Sequence, residues 1–189
     1  NNRKKIFIFA AQYFPHLGGV ERYTYNLAKK LIMDGNEVVI VTSNVIHLSE
    51  FEKVDEITSY RIPCWNLLEG RYPVLKMIQD SKLKNIEKRI DMVIVNTRFY
   101  PHSLYGMILA KKIRAKCIYI RSLGQAICRY INKFWDFIGE ILTYLTKVDQ
   151  IFCKDYYGVS GACNEWLAHF HIKAKGILYN SIDIEEVKN

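Results

Sequence analysis

KIFIFAAQYFPHLGGVERYTYNLAKKLIMDGNEVVIVTS, residues 5–43, decides the fold. It opens on a short, nearly unbroken apolar run (5–11) and closes on a second one, EVVIVTS (37–43). Runs of that length, without polar alternation, are strands covered on both faces, as in a parallel sheet. Between them Val20, Tyr23, Leu27, Leu31 and Ile32 recur at helical spacing and predict one buried face over 20–34. Lys29 and Lys30 fall off that face, and Gly35 supplies the stop.

The same alternation continues outward. DMVIVN (91–96) and KCIYIR (116–121) are further covered strands, ITSYRIP (57–63) is a weaker one, and DYYGVS (155–160) with KGILYN (175–180) forms a last pair. Helical patterns fill 75–89, 103–115, 127–150 and 161–169. Strand and helix in turn predict an α/β fold: one Rossmann-like, doubly wound, mostly parallel sheet with helices on both faces, a single domain over 1–189. Ligands are then expected at the carboxyl ends of the strands. No repeat, low-complexity tract or linker interrupts the chain.

With 189 residues, half of them hydrophobic, a large core is available and disorder is excluded. A net charge of +8 asks for an acidic partner: an anionic membrane surface, a nucleic acid or a phosphorylated substrate. The charges are scattered rather than striped and no RNA-binding motif is present, so no nucleic acid is expected. The five cysteines, Cys64, Cys117, Cys128, Cys153 and Cys163, are odd in number and lack a C-x-x-C pair. They suggest neither a disulfide framework nor zinc, and read as small core residues of a reduced, cytoplasmic protein. No signal peptide and no membrane-spanning run is visible. Residues 130–154 are aromatic-rich and amphipathic, which suits either a helix packed on the sheet or an interfacial membrane helix; Asp136, Glu140 and Asp149 weigh against the second.

Several chemistries are missing their signatures. There is no G-x-x-x-x-G-K-[ST] loop, no G-x-G-x-x-G after the first strand, no G-x-S-x-G and no H-E-x-x-H. His169 and His171 stand two apart and would diverge on a helix, so they are not expected to share a metal. What remains is the join at Gly18 and Gly19. It offers either a convenient turn or a place where backbone N–H groups at a helix start approach an anion without a Cβ in the way. Glu21, in the first turn, complements the helix dipole and is placed to bond a ligand hydroxyl or neighbouring backbone.

YFPHLGGVERYTYNLAKKLIMDGNEVVIVTS resembles the opening of the retaining, GT-B-fold glycosyltransferases of family 4, a pattern of P-x-x-G-G-x-E, L-A-x-x-L and G-[HN]-x-V. Pro15, Gly18, Gly19, Glu21, Leu27, Ala28, Leu31, Gly35, Glu37 and Val38 carry it. Further along, DMVIVNTRFYPHSLYGMILAKKIRAKCIYIR is similar to the family's fourth strand, helix and fifth strand. DYYGVSGACNEWL resembles a strand-to-helix join common in bacterial surface-polysaccharide enzymes, and GILYNSIDIEEV its I-x-N-G-[IV]-D element, with Ser181 where Gly is usual.

The resemblance implies that Gly18, Gly19 and Glu21 face the diphosphate of a nucleotide-sugar donor, and that Tyr13 and His16 contact the acceptor, a glycan or polyprenyl-linked molecule. It implies no bound metal and no cofactor, the nucleotide sugar being a co-substrate. Asn180 and Asp183 read as caps or hinge residues. Two departures stand out. Arg121 follows the fifth strand where the family often has His, which makes it a candidate catalytic group stabilising diphosphate charge. The basic pair and E-x7-E of a C-terminal donor-binding domain are missing from this stretch, so the chain is expected not to catalyse transfer alone. The expected role is the N-terminal, acceptor-binding domain of a retaining glycosyltransferase, cytoplasmic and peripheral on the inner face of the plasma membrane. The alternative is a non-catalytic partner module that supplies half a site to another chain.

Overall fold

The computed structural model describes residues 3–16, 18–67, 72–76, 90–96, 101–121 and 148–179. In chain order its elements are β1 (Lys5–Phe9), α1 (Gly19–Met33), β2 (Glu37–Asn44), β3 (Phe51–Val54), β4 (Ile57–Leu67), β5 (Tyr72–Leu75), β6 (Met92–Asn96), α2 (Pro101–Ile113), β7 (Lys116–Arg121), β8 (Asp155–Gly158), α3 (Gly161–His169) and β9 (Gly176–Ile177). The strands lie in the order β3-β4-β2-β1-β6-β7-β8-β9, with β5 added to β4. From β4 to β9 every neighbouring pair on that path is parallel; β3 and β5 run antiparallel to β4.

Period-two side chains divide the core between the two faces. Phe7, Phe9, Val39, Val41, Val93, Val95 and Tyr119 point to one face and pack with Met107, Leu109 and Ala110 of α2 and Leu167 of α3. Ile6, Ile8, Val38, Ile40, Ile94 and Ile120 point to the other and pack with Tyr23 and Ala28 of α1. The sheet is therefore doubly wound, with helices on both faces. Its central strands read as unbroken apolar runs because each residue meets a helix on one side or the other. Where α2 crosses β1 the contact is tight: a Cβ on Gly106 would lie 2.7 Å from the Phe9 ring.

Three sequence expectations change. The buried stripe of α1 is Glu21, Tyr23, Thr24 and Ala28, whereas Val20, Leu27, Leu31 and Ile32 are only half-buried. Tyr23 and Ala28 enter the core under the helix, and Leu27, Leu31 and Ile32 pack at its margin. Segments 44–56 and 64–75, which lie between the predicted elements, hold β3, the end of β4 and β5. β3 is exposed at all four positions, so it carries no alternation to read. The helix expected over 75–89 begins on the last residue of β5, and its remainder lies outside the described residues apart from Lys76. Most of 127–150, Cys128, and the residues from Asn180 onward also lie outside them. Cys64, Cys117, Cys153 and Cys163 are free thiols. No described helix is long and apolar enough to cross a membrane.

Candidate functional site

The sheet reverses direction between β1 and β6, since the chain winds outward from β1 through β2 and then returns to β6 on its other side. A crevice at the carboxyl ends is expected there. Asn96 ends β6 at this point with no solvent exposure, and its Nδ2 donates to Thr24 Oγ1 at 2.8 Å. Thr24 Oγ1 in turn donates to the Val20 carbonyl at 2.8 Å. The first turn of α1 is thereby pinned to the end of β6. Asn96 Oδ1 is buried without a hydrogen-bond partner.

Gly18 is the N-cap of α1, with extended backbone (φ −146°, ψ 173°) and no side chain to cap the helix. The first intrahelical bond runs from Arg22 N to the Gly18 carbonyl at 3.0 Å. A helix start without a side-chain cap keeps N–H groups available for another acceptor. The two glycines differ. A Cβ on Gly18 would strike the carboxylate of Glu21, which is buried and folds back over the N-cap. A Cβ on Gly19 would meet nothing within 4 Å, and Gly19 is exposed. Glycine at 18 is thus explained by Glu21, and glycine at 19 by nothing inside the described fold. Glu21 contributes its charge to the helix start on the Gly18 side, leaving the Gly19 side open.

Tyr13 and His16 sit on the turn that follows β1, closed by His16 N donating to the Tyr13 carbonyl at 3.2 Å. The Phe14–Pro15 bond in this turn is cis. Tyr13 is buried, and burial pushes its phenol well above the ordinary range, so it stays protonated; His16 is exposed. Both line a small cleft of about 70 Å3 over the ends of β1, β2 and β4, together with Thr42, Ser43 and Arg61. Arg61, on β4, is buried, donates to the Phe14 and Ser49 carbonyls at 3.2 Å each, and pairs with Glu52 at 2.5 Å. It ties the Tyr13–His16 turn to the segment leading into β3.

On the opposite face, His102 in the first turn of α2 is fully buried. Its Nε2 contacts the Val41 carbonyl at 2.8 Å, which makes that nitrogen the donor and leaves Nδ1 facing Ser43 Oγ at 3.5 Å. Burial holds its pKa down at about 4, so the ring is neutral. Arg121 is found on this face too, at the end of β7, with its guanidinium 3.8 Å from the centre of the Trp166 ring of α3. Burial raises the Tyr119 phenol, and the neighbouring Arg121 pulls it the other way. The structure brings Gly18, Gly19 and Glu21 together and places Tyr13 and His16 on the cleft. It does not bring Arg121 to them: α1 covers one face of the sheet and Arg121 packs on the other. Asn96, Thr42, Arg61 and His102 escaped the sequence reading. The available signal was a polar residue ending or interrupting an apolar strand, as in MVIVN and SYRIP.

Residues 17–186 match the model of Glycosyltransferase Family 4. The chain belongs to that family. Among its relatives, the uncharacterized glycosyltransferase MJ1069 of Methanocaldococcus jannaschii is 26% identical over 197 residues, covering 98% of this chain and 50% of that protein. The phosphatidylinositol N-acetylglucosaminyltransferase GPI3 subunit of Saccharomyces cerevisiae is 27% identical over 165 residues, covering 81% of this chain and 33% of that protein. This family 4 chain therefore spans half the length of the first relative and a third of the second. Solved structures share the GT-B half-fold. The catalytic domain of starch synthase IV from Arabidopsis thaliana matches 98% of this chain and 53% of its own, at 12% identity and a TM-score of 0.56. Sucrose-phosphate synthase from Thermosynechococcus elongatus matches 93% and 47%, at 12% identity and a TM-score of 0.54.

Proposed function

We propose that this chain is the N-terminal, acceptor-side half of a retaining GT-B glycosyltransferase. The complete enzyme moves a sugar from a nucleotide-sugar donor to a glycan or polyprenyl-linked acceptor. One observation carries the reading: a helix start with no side-chain cap, at the carboxyl ends of a doubly wound sheet, whose first residue Gly19 is kept clear though nothing in the described fold needs the space. Diphosphate charge is met there by N–H groups of the first turn of α1 and their share of the helix dipole, with no metal invoked. The Tyr13–His16 turn presents the acceptor. The second domain, outside this stretch, grips the nucleotide. The phosphatidylinositol in the name of the GPI3 subunit supports an amphiphilic acceptor.

Several described basic residues lie at the opposite end of the molecule, while Arg22, Arg61 and Arg121 lie toward the carboxyl ends of the strands. Lys30 closes α1, Lys111 and Lys112 close α2, and Lys4 and Lys116 stand at the starts of β1 and β7. We read this edge as the one that meets an anionic membrane on the cytoplasmic side. A strand of five or six residues separates it from the candidate site by roughly 17–20 Å.

The test is transfer by the complete natural protein, assayed with a panel of nucleotide sugars and polyprenyl-linked or glycan acceptors, the product anomer being read by NMR. Transfer with retained configuration is expected, and Gly19→Asp abolishes it while leaving the protein folded. No transfer from any nucleotide sugar, or an inverted product, refutes the reading.

A further inference from the structure

Two of the free thiols meet. Cys117 stands near the start of β7, and Cys153 lies two residues before β8, the strand that pairs with it. The register sets Ile118 opposite Asp155, which puts both cysteines just ahead of the first registered pair. The Cys153 sulfur lies 3.6 Å from the Cys117 carbonyl oxygen and 3.7 Å from that of Asp155. The two thiols hydrogen-bond to each other, which holds Cys117 above the ordinary thiol range and draws Cys153 below it. The turn carrying Cys153 is fixed: Phe152 N and Cys153 N both donate to the Asp149 carbonyl, at 3.0 and 2.9 Å, and Lys111 of α2 lies 5.0 Å from the centre of the Phe152 ring. Neighbouring strands run about 4.8 Å apart, and a disulfide spans Cα atoms roughly 4.4–6.8 Å apart, so the two backbones stand within reach of a bridge. Cys163, by contrast, faces Ser160 Oγ at 3.3 Å, and Cys64 on β4 is separated from β7 by β2, β1 and β6.

We propose that Cys117 and Cys153 form a reversible redox site, a dithiol that a hydroperoxide closes to a disulfide and a thiol reductant reopens. The inference does not depend on the glycosyltransferase reading. Cys153 is 1% exposed and Cys117 is half-buried, so the oxidant arrives at Cys117. Once the pair has given one proton to solvent, the proton left between the sulfurs can rest on Cys153, which makes Cys117 the attacking thiolate. Its sulfur bonds to one oxygen of hydrogen peroxide, the O–O bond breaks, and the hydroxide released departs as water with the Cys153 proton. The Cys153 thiolate then attacks the sulfenic sulfur of Cys117. The S–O bond breaks as the S–S bond forms, and the second hydroxide takes back a proton from solvent. Two thiols and one peroxide thus give one disulfide and two waters, the sulfurs being oxidised and the peroxide reduced. Asp155 and Asp149 oppose a lasting negative charge on Cys117, and the disulfide carries none, so closure ends that repulsion. The bridge would join β7 to the turn before β8 across 36 positions of the chain. A pair that opens again suits a compartment that keeps thiols reduced.

The experiment treats the complete natural protein with hydrogen peroxide at neutral pH, denatures it into an alkylating reagent, and maps the digest by mass spectrometry. Met33, 83% exposed, reports the dose through its sulfoxide. Cys117 and Cys153 are expected to lose alkylation together and to appear in one linked peptide pair, lighter than the reduced pair by two hydrogen atoms, while Cys64 and Cys163 are still alkylated. Dithiothreitol should restore both thiols. In Cys153→Ala, Cys117 should stop at a sulfenic acid that dimedone traps; if that variant does not fold, the map of the parent decides alone. Both thiols still alkylated when Met33 has become the sulfoxide overturns the proposal. So does Cys117 linked to a cysteine other than Cys153, or oxidation of the pair that dithiothreitol does not reverse.

Discussion

Gly19→Ala separates a structural glycine from a functional one. The added methyl enters open space, at a position that is already helical and whose φ is not in the left-handed region. Replacing Gly by Ala in a helix stabilises it by about 0.5–1 kcal/mol, so the thermal midpoint is expected to stay or rise. If a diphosphate packs against this backbone, the methyl pushes it outward and weakens one charge-assisted hydrogen bond, a loss of about 1.5–3 kcal/mol. That corresponds to a fall in kcat/KM for the donor of roughly 10- to 100-fold. Gly18→Ala is the internal control. Its methyl meets the end of the Glu21 side chain, which must leave its rotamer at about 0.5–1.5 kcal/mol, and Glu21→Ala in the same chain should recover that loss. The assay is steady-state donor kinetics of the complete protein beside thermal unfolding of each variant. An unchanged kcat/KM in Gly19→Ala, with the midpoint raised, would show that Gly19 is kept clear of nothing and that the phosphate role is wrong.

The remaining expectations are narrower. His102 has a folded pKa of about 4 against an ordinary 6.5, so its contribution to stability is complete above 6.5 and is lost as pH falls toward 4. The loss is about 3 kcal/mol, and denaturant midpoints of the parent should fall more steeply over that window than those of His102→Met; parallel slopes would contradict the buried neutral ring. Arg121→Met removes the stack on Trp166, worth about 1–2 kcal/mol, and should lower the unfolding midpoint while leaving the donor KM in place. A large fall in kcat at an unchanged midpoint would return Arg121 to the chemistry. In liposome flotation, anionic vesicles should recover more protein than neutral ones, and Lys111→Glu with Lys112→Glu should reduce the difference; equal recovery from both vesicle types discards the membrane edge.

The architecture was legible in residues 5–43 and their echoes at 91–96 and 116–121, because strands covered on both faces need unbroken apolar runs. The glycine join was legible too, since a helix start after a strand end is visible in local pattern. Edge structure was not: β3 is exposed throughout and β5 pairs only with the end of β4, so neither leaves a periodic trace.

What the sequence determined by itself is the alternation of strand and helix, the family, and the position of the Gly18-Gly19 join at the carboxyl end of β1. Tertiary structure decided which glycine has a fold-internal reason, because the position of the Glu21 carboxylate depends on how α1 lies against the sheet. It also decided that Arg121 belongs with Trp166 and not with the glycines. The parity of a strand sets which face a side chain takes, but only the packed helices say what waits on that face. The buried partners Asn96–Thr24 and Ser43–His102 join residues 72 and 59 positions apart in the chain. Such pairs exist only once the sheet order is set, because hydrogen bonds and ion pairs depend on distance in space, on which separation along the chain is silent.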